Sequence, residues 1–575
     1  MKKFLNLISC LVMILALASC QNNEQEVVDD SPNIAEEDLV KPTSSSLKYT
    51  DYSLYSDGSS HPDFNEEKWY RNDLEDLALP DPYVLEVDGV YYIYGTTDRT
   101  GSRTIDCYST TDFNNFEWHK DVYVHPSDSW ETNSGGIFAP EMFVYNGEYY
   151  LYFGINSKYN GMRYIHCAKA STPIGPFEPI MQENAYGEMV DGKSEPIFNH
   201  NDKIGLSVLD QTIFQDDDDR IYMYYSVYDT NNSQYLVGFE MLDPITPLFD
   251  TYKILVRPGE LTPATTSTKI LSWEAYTDFE VAEGPFMLKS PVNGKYYLTY
   301  SVNHYPNRFY TVCYAESDTP LGDYTKPYTS EQKKNGEIWT NLLFGYAGGH
   351  TGTKVHEQWS GFMSGTAHHC FFKVGDQYMI GYHAHRNRED SSAGRMFAMD
   401  YIYFNEEGVP YAEGPTYSIQ PLPEAISGYK NIALNAKVKY LNVENAEAIN
   451  DNYIVEHYNL KQNAGKEVVL KEGKAYIELI FDKEYYIGAI SIYNSAYYEK
   501  ALYEISYINF FNGNAMFNIG FIPNYINDEK EFIFPTSAFT VEIDNDIKAT
   551  KVIICVDSLE GAQLNEIKVF GKEVA

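Results

Sequence analysis

The chain carries little positive charge for its length. Lys and Arg number 43 against 82 Asp and Glu, so the formal net charge is −39 over 575 residues. A surface of this sign repels the phosphate backbone, which argues against nucleic acid as a partner. The balance favours a protein that acts on a neutral or cationic ligand.

Cysteine is scarce and scattered. Of seven cysteines, Cys10 and Cys20 lie near the N-terminus, and the others are far apart in the chain: Cys107, Cys167, Cys313, Cys370 and Cys555. No C-x-x-C pair or His/Cys cluster occurs, which argues against a zinc site and a disulfide framework. We therefore predict that the last five are free, buried thiols that pack as small apolar side chains.

Long apolar runs are absent beyond the first 20 residues. That segment has a charged start at Lys2-Lys3, an apolar stretch over Phe4–Leu17 and the ending L-A-S-C at Cys20. The stretch is too short for a membrane span and predicts a signal peptide over residues 1–20. The ending resembles the bacterial lipobox, which implies a lipid anchor on Cys20. An ordinary secretory signal with a chance cysteine is the alternative.

The anchor implies that the protein is held in the bacterial cell envelope, at the outer membrane, facing either the periplasm or the surface. The N-terminal lipid is then its one contact with a membrane. Residues 21–65 are acidic and lack apolar periodicity. They predict a flexible tether between the anchor and the folded body.

Tyrosine, in contrast, is abundant, with 52 residues, and it concentrates in a unit that recurs five times. Each copy has a short apolar strand, a turn and a Tyr-rich strand, marked by Tyr91, Tyr149, Tyr222, Tyr296 and Tyr378. In the fourth copy Asn293-Gly294 predicts a two-residue hairpin turn. Repeated antiparallel strands at this period predict a five-bladed β-propeller over residues 66–425, so the fold class is all-β.

One residue of each copy stands where the first strand begins. Aligned on the aromatic strands, these residues are Asp81, Glu141, Asp210, Glu283 and His368. The first strand of a propeller blade lines the central channel, so we expect all five to meet at one axial pocket. Like charges gathered in such a funnel push pKa values apart, which is typical of a functional site.

Paired carboxyl groups of different protonation suit hydrolysis of a glycosidic bond. One carboxylic acid protonates the leaving oxygen, one carboxylate activates water, and a third acid can keep the pKa of the donor high. This chemistry needs no cofactor. Blades 1, 3 and 4 supply the three acids as Asp81, Asp210 and Glu283.

The motifs around these acids resemble those of glycoside hydrolase family 43. They are L-P-D-P-Y at 79–83, F-A-P-E at 138–141, L-D-Q-T-I-F-Q-D-D-D at 209–218 and A-E-G-P-F at 282–286. The resemblance implies a five-bladed propeller that inverts anomeric configuration, with Asp81 as general base, Glu283 as general acid and Asp210 as the residue that tunes and positions Glu283. Gln211 and Ala367 depart from the family pattern without removing a carboxylate.

The same resemblance implies a set of substrate contacts. Phe138 would supply an apolar wall, Glu141 would shape the pocket, and Arg395 would hold sugar hydroxyls. His368 would lie in the channel, near a structural Ca²⁺ if one is bound. For Phe138, Glu141 and His368 a purely structural role stays open as the alternative.

The C-terminal part, residues 430–575, has short alternating strands and no Trp. It predicts a jelly-roll-like β-sandwich. Its N-I-A-L-N opening and L-N-E-I-K-V-F-G ending resemble discoidin-type modules, so either carbohydrate binding or a spacer role is implied.

Our leading hypothesis is an exo-acting hydrolase that removes terminal sugars, α-L-arabinofuranose first among them, from a carbohydrate substrate. A β-xylosidase, a galactofuranosidase or an endo-arabinanase would use the same fold. A surface lipoprotein that binds glycans without cleaving them is the hypothesis from another class.

Overall fold

The computed structural model describes residues 34–52, 63–72, 77–97, 103–126, 136–156, 162–180, 207–228, 234–259, 274, 280–326, 341–345, 364–385, 394–416, 419–454, 465–497, 500–523 and 538–574. The predicted signal peptide and Cys20 lie outside these ranges. Within them, helix is limited to α1 (Glu424–Ser427) and to 3₁₀ turns at Glu36–Asp38, Ala433–Asn435 and Ala446–Ile449. No helix in the described ranges is long and apolar enough to cross a membrane.

Five four-stranded antiparallel sheets form a propeller, which confirms the predicted all-β, five-bladed fold. Two short strands, β1 (Tyr49–Asp51) and β2 (Trp69–Tyr70), precede it. The blades, in chain order, are β3–β6 (Tyr83–Val87, Val90–Gly95, Thr104–Thr110, Glu117–Val124), β7–β10 (Phe138–Tyr145, Glu148–Asn156, Arg163–Ala170, Glu178–Pro179), β11–β14 (Ser207–Gln215, Ile221–Tyr228, Gln234–Asp243, Thr246–Val256), β15–β18 (Glu283–Lys289, Tyr296–Val302, Thr311–Ser317, Leu342–Phe344) and β19–β22 (Ser364–Val374, Gln377–His385, Met396–Phe404, Pro410–Glu413).

The Tyr-rich second strands are buried because each blade is covered by its neighbours on both faces. Their phenol groups need a partner inside the core. Tyr94 donates to the carbonyl of Pro173, Tyr152 to that of Pro244 and Tyr224 to that of Pro320, each in the next blade. The repeated tyrosine therefore both fills the space between blades and fixes their order.

The ring closes by packing of blade 5 against blade 1. Phe372 and Met379 share one apolar cluster with Val84 and Ile93. The short strand β23 (Gln420–Pro421) also pairs with β2, with Trp69 opposite Pro421. The two ends of the propeller are thereby joined through a pair of strands outside the blades.

The predicted two-residue turn at Asn293-Gly294 is wrong. Beyond the last strand pair, Lys289 with Tyr296, the amide of Ser290 donates to the carbonyl of Lys295, so four residues, 291–294, form the loop. The side chain of Asn293 explains the difference, since its amide donates to the carbonyl of Glu407 and to the hydroxyl of Tyr297. These contacts with blade 5 and β16 favour a wider loop.

The five predicted free thiols are buried and unpaired, which confirms the interpretation of the scattered cysteines. The C-terminal residues form a sheet-rich domain, whose discoidin-like character stays a prediction. Its strands are β24 (Lys430–Asn431), β25 (Lys437–Leu441), β26 (Val443–Glu444), β27 (Val468–Leu470), β28 (Gly473–Asn494), β29 (Glu504–Ile505), β30 (Tyr507–Asn512), β31 (Ala515–Ile519), β32 (Ile522–Pro523), β33 (Ala538–Ser558) and β34 (Gln563–Glu573). The long strands β28 and β33 pair along most of their length at the centre of a ten-stranded sheet.

Residues 34–52 belong to this C-terminal domain. Strand β1 pairs with β33, with Tyr49 opposite Ile543, and the side chains of Ile34 and Leu39 pack against Phe511 and its neighbours. Asp38 forms an ion pair with Lys551. The prediction of a flexible tether across 21–65 is therefore wrong for residues 34–52. Although this segment lacks apolar periodicity, it supplies strand β1 and the two packed side chains of Ile34 and Leu39.

A buried polar contact joins the propeller to the C-terminal domain. Lys568 donates to Glu413 at 2.7 Å, and their side chains are only 4% and 3% exposed. Nearby, the hydroxyl of Tyr411 donates to the carbonyl of Asn452. Breaking a buried pair by removing one partner costs about 3–5 kcal/mol, so this contact fixes the domains to each other.

Removal of residues 1–52 should destabilise the C-terminal domain relative to removal of residues 1–33 alone. Loss of the burial of Ile34 and Leu39 costs about 2 kcal/mol, which lowers the Tm of a domain of this size by about 4–8 °C. Differential scanning calorimetry of the two truncated proteins measures the difference. Equal Tm values for the C-terminal transition would show that residues 34–52 contribute nothing to it.

Candidate active site

The site is built on a backbone feature that recurs at the start of every blade. One residue with a φ in the left-handed region recurs at or just before the start of each first strand: Asp81 (53°), Ala139 (48°), Asp210 (53°), Gly284 (53°) and His368 (46°). In blades 2 to 5 the pairing with the second strand is interrupted at this point. Such a bulge re-aims side chains, here toward the propeller axis.

This register corrects the predicted alignment. Ala139 and Gly284, and not Glu141 and Glu283, are equivalent to Asp81, Asp210 and His368. Glu141 stands two residues beyond the bulge position, and Glu283 stands one residue before it. The sequence alignment missed the offset because it was anchored on the second strand and counted no bulge.

A pocket of about 550 Å³ opens at these strand starts. Six of the seven predicted site residues line it, together with side chains that the sequence did not single out. Its lining consists of Asp81, Thr96, Phe138, Asn156, Arg163, Ser207, Leu209, Asp210, Tyr228, Gln234, Glu280, Val281, Glu283, His304, Tyr305, Tyr310, His368 and Arg395. The three acids of blades 1, 3 and 4 therefore meet in one pocket.

Asp81 is surrounded by donors. Arg395 Nη1 lies 2.9 Å from Oδ1, and the hydroxyl of Thr96 donates to Oδ2 at 2.6 Å. Burial alone would raise the pKa of Asp81, but the charge of Arg395, followed by that of His368, outweighs it and holds the pKa well below its ordinary range. Asp81 is accordingly a carboxylate at any pH near neutral.

Glu283 has the opposite environment. Burial and the neighbouring charge of Asp210 raise the pKa of Glu283 to about 7. Its Oε1 accepts a hydrogen bond from the hydroxyl of Tyr310 at 2.9 Å. In mildly acidic solution Glu283 is therefore protonated in the same pocket in which Asp81 is ionised.

Asp210 lies between these two groups. Its Oδ2 accepts a hydrogen bond from the backbone amide of Gly284 at 3.2 Å, so it contacts the strand that carries Glu283. Burial and the charge of Asp81 raise the pKa of Asp210. The charge of Asp210 in turn raises the pKa of Glu283, so the three acids form one coupled set.

Glu141 is not brought into this pocket. Its Oε1 accepts hydrogen bonds from the hydroxyl of Thr212 and the amide of Ile213, both at 2.8 Å. Burial raises its pKa to about 8, so it is neutral at pH 7. It lines a small cavity deeper on the axis, beside Phe286 and His369, and links blade 2 to blade 3.

The other three predicted contacts reach the pocket in altered roles. His368 Nδ1 lies 3.4 Å from Asp81 Oδ1 and 4.0 Å from Asp210 Oδ2, so it bridges two acids. Arg395 is bound to Asp81 and covers the ring of Tyr305 at 4.8 Å. Phe138 is covered in turn by Arg163 at 5.7 Å.

Three residues that the sequence analysis missed contact the acids directly: Thr96, which donates to Asp81, Tyr310, which donates to Glu283, and His383, whose Nδ1 lies 3.2 Å from Asp81 Oδ1. The register offers a signal for His383. The positions opposite the bulge are Gly154, Ser226 and Ser301 in blades 2 to 4, whereas blade 5 has His383. A histidine at a position that is Gly or Ser in blades 2 to 4 indicates a side chain with a specific contact in blade 5.

A calcium ion near His368, which the resemblance implied, stays a prediction. Calcium binds six to eight oxygen atoms, whereas His368 presents a ring nitrogen to two carboxylates. In the part of the chain that the structure describes, no group of three or more His, Cys, Asp or Glu side chains could hold a metal ion.

Known proteins match this chain chiefly over the propeller. A β-D-galactofuranosidase of Aspergillus niger is 27% identical over 341 residues, which cover 57% of this chain and 80% of that protein. The structure of a thermostable family-43 glycoside hydrolase is 26% identical and covers 62% of this chain and 99% of its own, with a TM-score of 0.48.

An endo-1,4-β-xylanase structure from Bacteroides thetaiotaomicron is 27% identical and covers 59% of this chain and 96% of its own, with a TM-score of 0.44. Residues 70–410, well over half of the chain, match the family described as glycosyl hydrolases family 43. With the propeller and its three acids, this match shows that the chain belongs to glycoside hydrolase family 43.

Proposed function

We propose that the protein hydrolyses terminal glycosidic bonds with inversion of anomeric configuration. The observation that carries the proposal is the contrast within one pocket between Asp81, whose pKa is held low, and Glu283, whose pKa is raised to about 7. An inverting hydrolase needs one carboxylate and one carboxylic acid at the same time. This pocket supplies both between mildly acidic and neutral pH.

In the proposed reaction Asp81 accepts a proton from water as the water oxygen attacks the anomeric carbon. Glu283 gives its proton to the leaving oxygen as the glycosidic bond breaks. The products are the free sugar of inverted configuration and the alcohol. Asp81 then holds one proton and Glu283 has lost one, and exchange with solvent restores both.

The surrounding groups support these two states. Arg395 and Thr96 orient the carboxylate of Asp81 from two directions. Asp210 raises the pKa of Glu283 by its charge and holds the amide of Gly284, so it couples the position of the acid to its protonation. The role of Asp210 is thus to tune and place Glu283.

For the substrate we propose a terminal furanose, with α-L-arabinofuranose first. β-D-Galactofuranose has the same ring configuration and differs by one exocyclic carbon, and the printed name of the Aspergillus niger relative supports it as a second substrate. A pocket shaped for one ring therefore accommodates the other if the exocyclic group has space.

Kinetics with aryl α-L-arabinofuranoside, β-D-galactofuranoside and β-xyloside test this proposal, with the first-formed anomer followed by NMR. We expect the furanosides to be cleaved and the inverted anomer to appear first. A product of retained configuration would refute Asp81 as general base. Cleavage of the xyloside alone would refute the furanose substrate.

Substitution Glu283→Gln should slow cleavage in a way that depends on the leaving group. We expect a loss of about 10²–10⁴-fold in kcat/KM for alkyl or sugar leaving groups, and a much smaller loss for an aryl group that needs no proton. Glu141→Gln, a buried carboxyl outside the pocket, serves as the control. An equal loss on both substrate classes would show that Glu283 is not the acid.

Substitution Arg395→Gln should move the acidic limb of the pH profile upward. Without the guanidinium the pKa of Asp81 rises, by about 1–3 units, so the carboxylate is lost at a higher pH as the solution is acidified. The alkaline limb near pH 7, set by Glu283, should stay in place. Profiles of kcat/KM for wild type, Arg395→Gln and the charge-retaining Arg395→Lys measure both limbs.

We also propose that the enzyme is anchored in the bacterial cell envelope through a lipid on Cys20. In a bacterial host the wild-type protein should sediment with membranes, whereas Cys20→Ala should release it to the soluble fraction. Immunoblots of the two fractions measure the distribution. Equal distribution of both proteins would identify residues 1–20 as an ordinary secretory signal.

A further inference from the structure

The proposed acid and base are joined through two rings. We propose that Tyr310 and His383 form a stacked pair of positioning residues, Tyr310 holding Glu283 and His383 holding the backbone of Asp81. The inference rests on the function proposed above, because it assigns roles through Asp81 and Glu283.

Tyr310 forms the contact to the acid. It is fully buried, and its hydroxyl donates to Glu283 Oε1 at 2.9 Å. Its own backbone amide is held by the carbonyl of Asn307, in the turn that follows β16. The phenol therefore approaches Glu283 from a fixed backbone and limits the rotation of the carboxyl group.

His383 forms the contact to the base. Its ring is fully buried, and Nδ1 lies 3.2 Å from the amide nitrogen of Asp81, whose N–H points at it. Burial, followed by the charge of Arg395, lowers the pKa of His383 to about 3, so the ring is neutral. Nδ1 accepts from the amide of Asp81 and also lies 3.2 Å from Oδ1 of the same residue, so one ring atom faces both the backbone and the carboxyl group of the base. The accepted amide belongs to a residue with φ of 53°, a conformation unfavourable for a residue with a Cβ.

The two rings are packed together. Their centroids are 5.6 Å apart and their planes differ by 20°. The stack completes a closed path, in which His368 bridges Asp81 and Asp210, the amide of Gly284 binds Asp210, and Glu283 precedes Gly284. The carboxyl group of Glu283 and the backbone of Asp81 are thus held by one packed pair of rings.

Each half of the stack has its own kinetic signature. Glu283 is faced by Asp210, His368, Arg163 and the hydroxyl of Tyr310, and this last group stabilises the ionised form. Tyr310→Phe keeps the ring and removes the donor, so Glu283 stays protonated to higher pH. The alkaline limb should move upward by about one pH unit, the size of one hydrogen bond to a charged group.

His383→Phe keeps the stack and removes the acceptor for the amide of Asp81. We expect kcat to fall about 10-fold for aryl and alkyl leaving groups alike, with KM and the alkaline limb unchanged. His383→Asn, whose side-chain oxygen can reach the position of Nδ1, should restore part of kcat. Tyr297→Phe, a buried tyrosine of β16 distant from the acids, is the matched control.

The experiment measures pH profiles and kcat and KM on both substrate classes for these four variants beside Asp81→Asn and Glu283→Gln. If Asp81→Asn and Glu283→Gln abolish turnover of substrates with alkyl or sugar leaving groups but Tyr310→Phe and His383→Phe behave like Tyr297→Phe, the stack has no positioning role and only this inference fails. If Asp81→Asn and Glu283→Gln retain turnover of those substrates, the proposed function fails. Should His383→Phe not fold, the alkaline limb of Tyr310→Phe decides alone.

Discussion

The left-handed turn at the start of each innermost strand is the constraint on which the site depends. It bends five strands at the same height, so residues that are far apart in the chain face one axis. Outside glycine this conformation costs about 1–2 kcal/mol per residue, and four of the five positions carry a side chain. Contacts hold the turns in place: Gln211 donates to the carbonyl of Ala139, and the amide of His368 donates to Ser301.

Given that geometry, the placement of one cation separates the protonation states. Arg395 lies against Asp81, while Glu283 and Asp210 have each other as close neighbours. Asp81, Asp210 and Glu283 are equally buried, so desolvation raises the pKa of all three. The difference in pKa follows from which acid receives the guanidinium. A carboxylate and a carboxylic acid can therefore coexist in one pocket of 550 Å³.

The C-terminal domain contains residues from both ends of the chain and contacts the propeller. Residues 34–52 complete its sheet before the propeller begins, and Lys568 meets Glu413 after the propeller ends. If Cys20 carries a lipid, the first residues that the structure describes after it are 34–52, which belong to the C-terminal domain, and the propeller follows them in the chain.

Much of the fold and of the acid set was predictable from the sequence. Five Tyr-rich hairpins repeat with enough regularity to specify five blades, and L-P-D-P-Y and A-E-G-P-F stand in local contexts that few other structures need. These signals are local, because hairpin periodicity and turn chemistry are properties of adjacent residues. They identified Asp81, Asp210 and Glu283, which the tertiary structure places in one pocket.

The tertiary structure decided everything that depends on register or on distant contacts. A bulge of one residue sends Glu141 to the inner cavity and leaves Phe138 in the pocket, because side chains alternate faces along a strand. The partner of Arg395, the stack of Tyr310 on His383 and the docking of residues 34–52 join segments separated by tens to hundreds of residues. The sequence by itself determined which chemical groups are present, and only the folded chain determined which of them meet, since pairing across such separations leaves no local pattern.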